Sequence, residues 1–202
     1  MLITWDMLRD SVSDCTGCEL SRGRTRTVFG EGDEEARILF VGEGPGREED
    51  LEGRPFVGPA GQLLTKMLAA IGFGRSDVYI ANIVKCRPPQ NRVPTEAEAL
   101  ACLPYLRAQT ALMKPWIIVC LGATAARYVY GSDTRIMRDR GVWKEKKGIW
   151  ILPTYHPAAL LRDPDKKKDA WKDMQAVRSR YEALVQEHGC TSSQTNGIMH
   201  NS

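Results

Sequence analysis

Cys15 and Cys18 have the two-residue gap of a metal-ligating pair, and Cys86 and Cys102 follow after 67 and 15 intervening residues. A zinc ribbon normally repeats its short spacing, which this chain does not do. Four thiolates around one iron–sulfur cluster tolerate irregular intervals better. The N-terminus, MLITWDMLRD, lacks the basic region and apolar run of a secretory leader, and no window approaches 18 apolar residues. A cytoplasmic setting with reduced thiols is therefore expected, where clustered cysteines mean metal more often than disulfide. Of the other two cysteines, Cys120 lies in the apolar run Trp-Ile-Ile-Val-Cys-Leu and reads as a small buried hydrophobe, and Cys190 falls in the polar C-terminal stretch.

Other reactive groups stand where apolar runs end. Gly42-Glu43-Gly44-Pro45-Gly46 resembles a dinucleotide fingerprint only superficially: Arg47 stands where a third small residue belongs, Pro45 lacks an N–H, and Glu43 would repel a pyrophosphate. A tight turn explains the glycines but not the carboxylate. His156, fixed at a loop entrance by Pro157, is the only histidine outside the last fifteen residues. Asn82 interrupts an apolar run, where a buried amide must find partners, structural or otherwise. Phe56, in Arg-Pro-Phe-Val-Gly, reads either as core or as a stacking platform. Glu48, Glu49, Asp50 and Glu52 form a cluster that reads first as a solvated loop and second as a Mg²⁺ site.

The elements that carry these groups follow from the pattern. Ala36–Val41, Val78–Val84, Trp116–Leu121 and Gly148–Pro153 are apolar runs with the look of strands buried on both faces. Between them fall helices from Pro59 to Ile71, with Gly72 as its stop, from the capping box at Thr95–Glu98 to about Met113, and from Gly122 to Tyr130. A short helix capped by Thr4 opens the chain, residues 19–35 read as irregular, and an amphipathic helix spans about Lys168 to Gln186. Alternation of this kind predicts an α/β fold: a three-layer αβα sandwich around a mainly parallel, four-stranded sheet. One domain is expected over residues 1–187, with 188–202 a disordered tail. In such sheets ligands bind beyond the carboxyl ends of the strands, which selects the Gly42 loop, Asn82, Gly122 and the His156–Arg162 segment.

With 43% apolar and 26% charged residues in 202, the composition is that of an ordinary folded protein and excludes collagen, coiled coil and wholesale disorder. The net charge of +3 hides an asymmetry. Residues 1–100 carry 12 basic and 16 acidic side chains, whereas 101–202 carry 16 and 9. The segment Asp133–Lys172 alone holds 11 basic and 6 acidic groups around His156, which favours contact with phosphates.

Taken together, Cys15/Cys18/Cys86/Cys102, Gly42-Glu-Gly-Pro-Gly46, Gly53-Arg-Pro-Phe-Val-Gly58, Asn82 with Lys85-Cys-Arg-Pro-Pro89, Leu121-Gly-Ala-Thr-Ala125 and His156-Pro-Ala-Ala-Leu-Leu-Arg162 resemble the family 4 uracil-DNA glycosylases over roughly Cys15 to Ala183. The resemblance implies a [4Fe–4S] cluster on the four cysteines and hydrolysis of the bond between uracil and deoxyribose. It also implies single- or double-stranded uracil-containing DNA as partner, a monomer, a nucleoid-associated cytoplasmic location and no membrane contact. Phe56 would stack on a flipped uracil, and the Asn82 amide would donate to O4 and accept from N3–H. Gly42 and Gly44 would let backbone approach the base. His156 would donate to O2 as the base departs, and Glu43 would orient or activate water. Leu160, Leu161 and Arg162 would form the wedge and phosphate contact. Ala158 stands where serine is common after His-Pro, which questions one loop hydrogen bond. Asn82 runs directly into Lys85-Cys86-Arg87 with no inserted histidine, so turnover is implied rather than covalent trapping of DNA. Two other classes compete: a non-catalytic iron–sulfur module that senses DNA, and a metal-dependent nuclease built on the acidic cluster.

Overall fold

A computed structural model describes residues 3–194. The elements in chain order are α1 (Trp5–Ser13), β1 (Glu31–Gly32), β2 (Ile38–Gly42), α2 (Arg47–Glu52), α3 (Pro59–Ala70), β3 (Tyr79–Asn82), α4 (Glu96–Met113), β4 (Ile117–Leu121), α5 (Ala123–Val129), α6 (Ile136–Asp139), β5 (Lys144–Lys146), β6 (Ile149–Thr154), α7 (Pro157–Arg162) and α8 (Lys167–Gln194), with short 3₁₀ turns between some of them. The sheet has six strands in the order β1-β3-β2-β4-β6-β5.

The four expected strands are its parallel centre. β3, β2, β4 and β6 pair in parallel, and two strands that were not expected close the edges antiparallel, β1 on β3 and β5 on β6. The edge strands escaped the sequence reading because they are short and polar, Glu-Gly and Lys-Glu-Lys. Charged, short edges also discourage pairing with another chain.

Side-chain alternation divides the core in two. Leu39, Val41, Tyr79, Ala81, Ile118, Cys120 and Ile151 face the layer that holds Leu103 and Leu106 of α4 and Ala125 and Ala126 of α5. Ile38, Phe40, Ile80, Ile117, Val119, Leu121 and Leu152 face Leu64 and Leu68 of α3 and Met174 and Val177 of α8. The layered α/β sandwich is therefore confirmed, with six strands in place of four. Cys120 is fully buried in the first layer, as expected of a small hydrophobe.

Three local expectations need correction. The acidic run is not a solvated loop: Arg47–Glu52 is helical, Gly53 stops it at φ 74°, and Glu49 and Asp50 are buried. Residues 19–35 include a 3₁₀ turn, Glu19–Arg22, as well as β1. The last helix does not stop near Gln186 but runs to Gln194, since adding residues to a formed helix is far easier than starting one. Residues 195–202 of the expected tail lie outside the described residues.

Candidate active site

The parallel register of β2 and β3 places Gly42 beside Asn82, and that of β4 and β6 places Leu121 beside Thr154. Four strand ends thus open onto one cavity of about 610 Å³, lined by Glu43, Gly44, Phe56, Asn82, Gly122, His156 and Arg162 among others. Its size falls in the range of small-molecule sites.

Packing at three glycines of these strand ends leaves no room for a side chain. A Cβ at Gly42 would lie 2.4 Å from Asn82 Oδ1 and 2.5 Å from Phe56 Cζ, so only glycine fits there. At Gly44 a Cβ would meet Val84 Cγ2 at 2.7 Å. Gly122, at φ 89°, would place a Cβ 2.9 Å from that of His156. These glycines let backbone and rings close around the cavity.

Asn82 is 2% exposed, and its Oδ1 is the only buried side-chain acceptor without a hydrogen-bond partner among the described residues. An orphaned amide oxygen in a cavity wall waits for a donor from a ligand. Phe56, buried at φ 54°, holds its ring 5.6 Å from that of His156 with 30° between the planes. The two rings therefore belong to one wall.

His156 caps α7. Its Nδ1 accepts the N–H of Ala158 at 3.1 Å, a bond that needs no side chain at 158. Burial, aided by Arg162 and opposed by Glu49, lowers its pKa to about 4. At neutral pH the ring is uncharged, and with Nδ1 accepting, the proton resides on Nε2. Glu43 accepts a hydrogen bond from the Thr124 hydroxyl of α5, which holds its carboxylate at the cavity.

Sequence reasoning missed the residues that hold this wall together. Glu49 takes the N–H of Gly46 at 3.0 Å on one oxygen and those of Val57 and Gly58, both at 2.9 Å, on the other. One carboxylate thus staples the Glu43 loop to the Phe56 loop. Its place three residues after Gly46, the helix N-cap, was the available signal. Asp50 likewise accepts from Thr25 and Arg26 N–H groups. Glu49, with both oxygens so engaged, is committed to backbone N–H groups rather than offered to a Mg²⁺ ion. Leu160 is also misread: it is 1% exposed and packs with Tyr155 and Ala170, whereas Leu161 is 46% exposed. On a short helix, adjacent leucines must point to different sides.

A second, smaller cavity is bordered by Cys15, Cys18, Cys86 and Cys102 together with Arg24, Lys85 and Tyr105. The structure thus gathers the four predicted thiols from three segments. Arg24 donates to Cys86 Sγ at 3.2 Å, Lys85 N–H to Cys102 Sγ at 3.2 Å and Gly17 N–H to Cys15 Sγ at 3.4 Å. Among the described residues no three His, Cys, Asp or Glu side chains converge as ligands of a single metal ion do. Burial raises the Cys102 thiol to about 11, opposed by the Lys85 ammonium. Lys85 is itself fully buried, its Nζ bonded to the Asn82 carbonyl at 3.1 Å and to Gln109 Oε1 at 2.7 Å.

A model of the uracil DNA glycosylase superfamily matches residues 29–175. The chain is 46% identical over 182 residues to a type-4 uracil-DNA glycosylase of Sulfurisphaera tokodaii, covering 86% of this chain and 83% of that one. It is 44% identical over 180 residues to the type-4 enzyme of Archaeoglobus fulgidus, covering 85% and 90%. To the type-4 enzyme of Thermotoga maritima it is 49% identical over 162 residues, covering 78% and 83%.

The chain belongs to the type-4 uracil-DNA glycosylases.

The superfamily match spans Glu43, Phe56, Asn82 and His156, and it also takes in Cys86 and Cys102. Cys15 and Cys18 precede it, but the fold returns them to the other two thiols. No helix among the described residues is long and apolar enough to cross a membrane.

Proposed function

We propose that the protein excises uracil from DNA by hydrolysing the N-glycosidic bond, the entry step of base excision repair. The observation that carries this reading is the unpartnered Oδ1 of Asn82, buried beside Phe56 in the cavity. Uracil offers an imide N3–H to such an acceptor and an O4 to the same amide's donor. Cytosine presents an unprotonated ring nitrogen and an amino group, so both contacts are reversed and the buried amide stays unsatisfied.

The base must first leave the duplex, at the expense of its stacking, which Phe56 replaces. As the bond breaks, negative charge flows onto uracil N1 and O2. A neutral His156 with its proton on Nε2 donates a hydrogen bond there, stabilising charge that exists only late on the path. Glu43, held by Thr124, faces the cationic sugar, takes a proton from water and lets the oxygen attack C1′. Arg162 at the cavity rim meets a phosphate, and exposed Leu161 fills the place of the departed base.

The four thiols fit a [4Fe–4S] cluster better than one ion. A tetrahedral ion needs every sulfur about 2.3 Å from a single point, whereas a cluster is held by thiolates spread around a larger group and is tuned by hydrogen bonds to its sulfurs. Arg24, Lys85 and Gly17 supply such bonds. When bound, the cluster would tie the loop after α1, the loop after β3 and α4 together.

The deciding experiment is a cleavage assay on uracil-containing oligonucleotides, single- and double-stranded, with wild type, Glu43→Ala and His156→Ala. Free uracil should be released by wild type in the presence of EDTA, and each variant should lose at least about 100-fold in rate. Retention of full activity by both variants, or strand scission that needs added Mg²⁺, would overturn the reading. Asn82→Asp should lose its preference for uracil over cytosine.

A further inference from the structure

We propose that Arg75 is a positioning residue for the uracil-stacking ring, fixing Phe56 relative to the strand that carries Asn82. The inference rests on the reading of the cavity as a uracil site. Phe56 sits at φ 54°, a backbone conformation that bulky L-residues rarely adopt without outside support. One support is α3: a Cβ at Gly61 would fall 1.8 Å from the Phe56 carbonyl oxygen, so helix and loop are in direct backbone contact. The other is Arg75, nineteen residues further on, beyond α3. Its Nη1 donates to the Phe56 carbonyl at 3.0 Å and its Nη2 to the Pro55 carbonyl at 2.6 Å.

The guanidinium is itself fixed. Its Nε donates to Glu31 Oε1 at 3.1 Å, and Arg54 takes the same carboxylate through two bonds, at 2.8 and 3.1 Å. Glu31 pairs with Ile80 of β3, and Arg75 opens the turn that leads into β3. Both ends of the ion pair are therefore referenced to the strand that ends at Asn82. The side chains of Arg75 and Glu31 are only 18% and 25% exposed, so the pair is partly shielded from water. A planar fork that holds two successive carbonyls and one carboxylate cannot be replaced by a lysine, whose point-like ammonium lacks that geometry. The distance between the surface that stacks on the base and the amide that reads its edge is thus set by Arg75.

A double-mutant cycle tests this. Arg75→Ala should lower kcat/KM for uracil release by about tenfold, and Arg75→Lys should do nearly the same, while Arg75→Ala in a Phe56→Ala background should cost less than about twofold more. The loss should be accompanied by a weaker uracil-over-cytosine preference, which a general loosening of the fold would leave unchanged. Thermal midpoints are recorded for every variant, and if Arg75→Ala does not fold the cycle is run with Arg75→Lys. Additive losses in the two backgrounds, or losses with the base preference intact, would overturn the inference. An inactive wild type would instead sink the uracil reading itself, so the two failures are distinguishable.

Discussion

The backbone N–H of Ala158 donates to Nδ1 of His156 at 3.1 Å, and this single bond decides which nitrogen of the ring faces a ligand as a donor. Because N–H groups cannot face each other, a protonated Nδ1 is excluded while α7 keeps its first turn. Burial acts in the same direction by disfavouring the imidazolium.

The pH dependence follows. An ordinary histidine would become charged near pH 6.5, but here the ring stays neutral down to about 4. Any activity limb due to His156 should lie near pH 4, and a limb near 6.5 assigned to it by its loss in His156→Gln would contradict the geometry. Stability has a matching sign: between pH 6.5 and 4 the unfolded chain binds the proton and the folded one does not, so unfolding free energy falls as pH drops through that window. Denaturant titrations of wild type and His156→Gln should diverge there.

Gly42→Ala should separate binding from folding. Its new methyl would have to displace Asn82 Oδ1 or the Phe56 ring, both of which belong to the cavity wall. A displacement of about 1 Å in such groups lowers rate on the order of 100-fold. Uracil release by the variant should therefore collapse while its visible spectrum and circular dichroism stay close to wild type.

Asp173 supports the His156 segment from beneath. It is 3% exposed and accepts from the Thr154 hydroxyl at 2.6 Å and from Arg140 at 3.0 and 2.6 Å. Asp173→Ala leaves a largely buried guanidinium without its carboxylate and should lower stability by about 3 kcal/mol. Denaturant midpoints at neutral pH check this, and a double Asp173→Ala, Arg140→Met variant should recover part of the loss.

If the proposed cluster is bound, Cys102→Ser should lower iron content and visible absorbance and reduce the thermal midpoint, since it removes the buried thiol that α4 contributes. Iron and sulfide assays with absorption spectra measure it. One equivalent of zinc in the purified wild type, with no iron, would refute the cluster.

Much of this arrangement is legible in the chain itself. ARILFV, VYIANIV, WIIVCL and GIWILP announce strands because both faces of a parallel strand are buried, and their ends locate Glu43, Asn82 and His156. The edges Glu31–Gly32 and Lys144–Lys146 carry no such pattern, for each has one partner and much solvent. The helix Arg-Glu-Glu-Asp-Leu-Glu is hidden by its charges, two of which turn inward to bond backbone N–H groups. Arg75 was beyond reach for another reason. Two of its partners are carbonyls, which every residue has, and the third, Glu31, lies 44 residues away on an edge strand with no pattern of its own.

The cavity wall is drawn from the ends of four parallel strands, with Glu43, Asn82, Thr124 and His156 each following a different strand and three crossovers between them. None of these groups meets another until the chain between them has been wound and docked. Parallel pairings close long loops before any contact rewards them, which makes such assembly slow. In refolding experiments on cluster-loaded protein, excision of uracil should therefore be the last signal to return, after helical content and tryptophan burial, and no fragment that stops before β6 should show any.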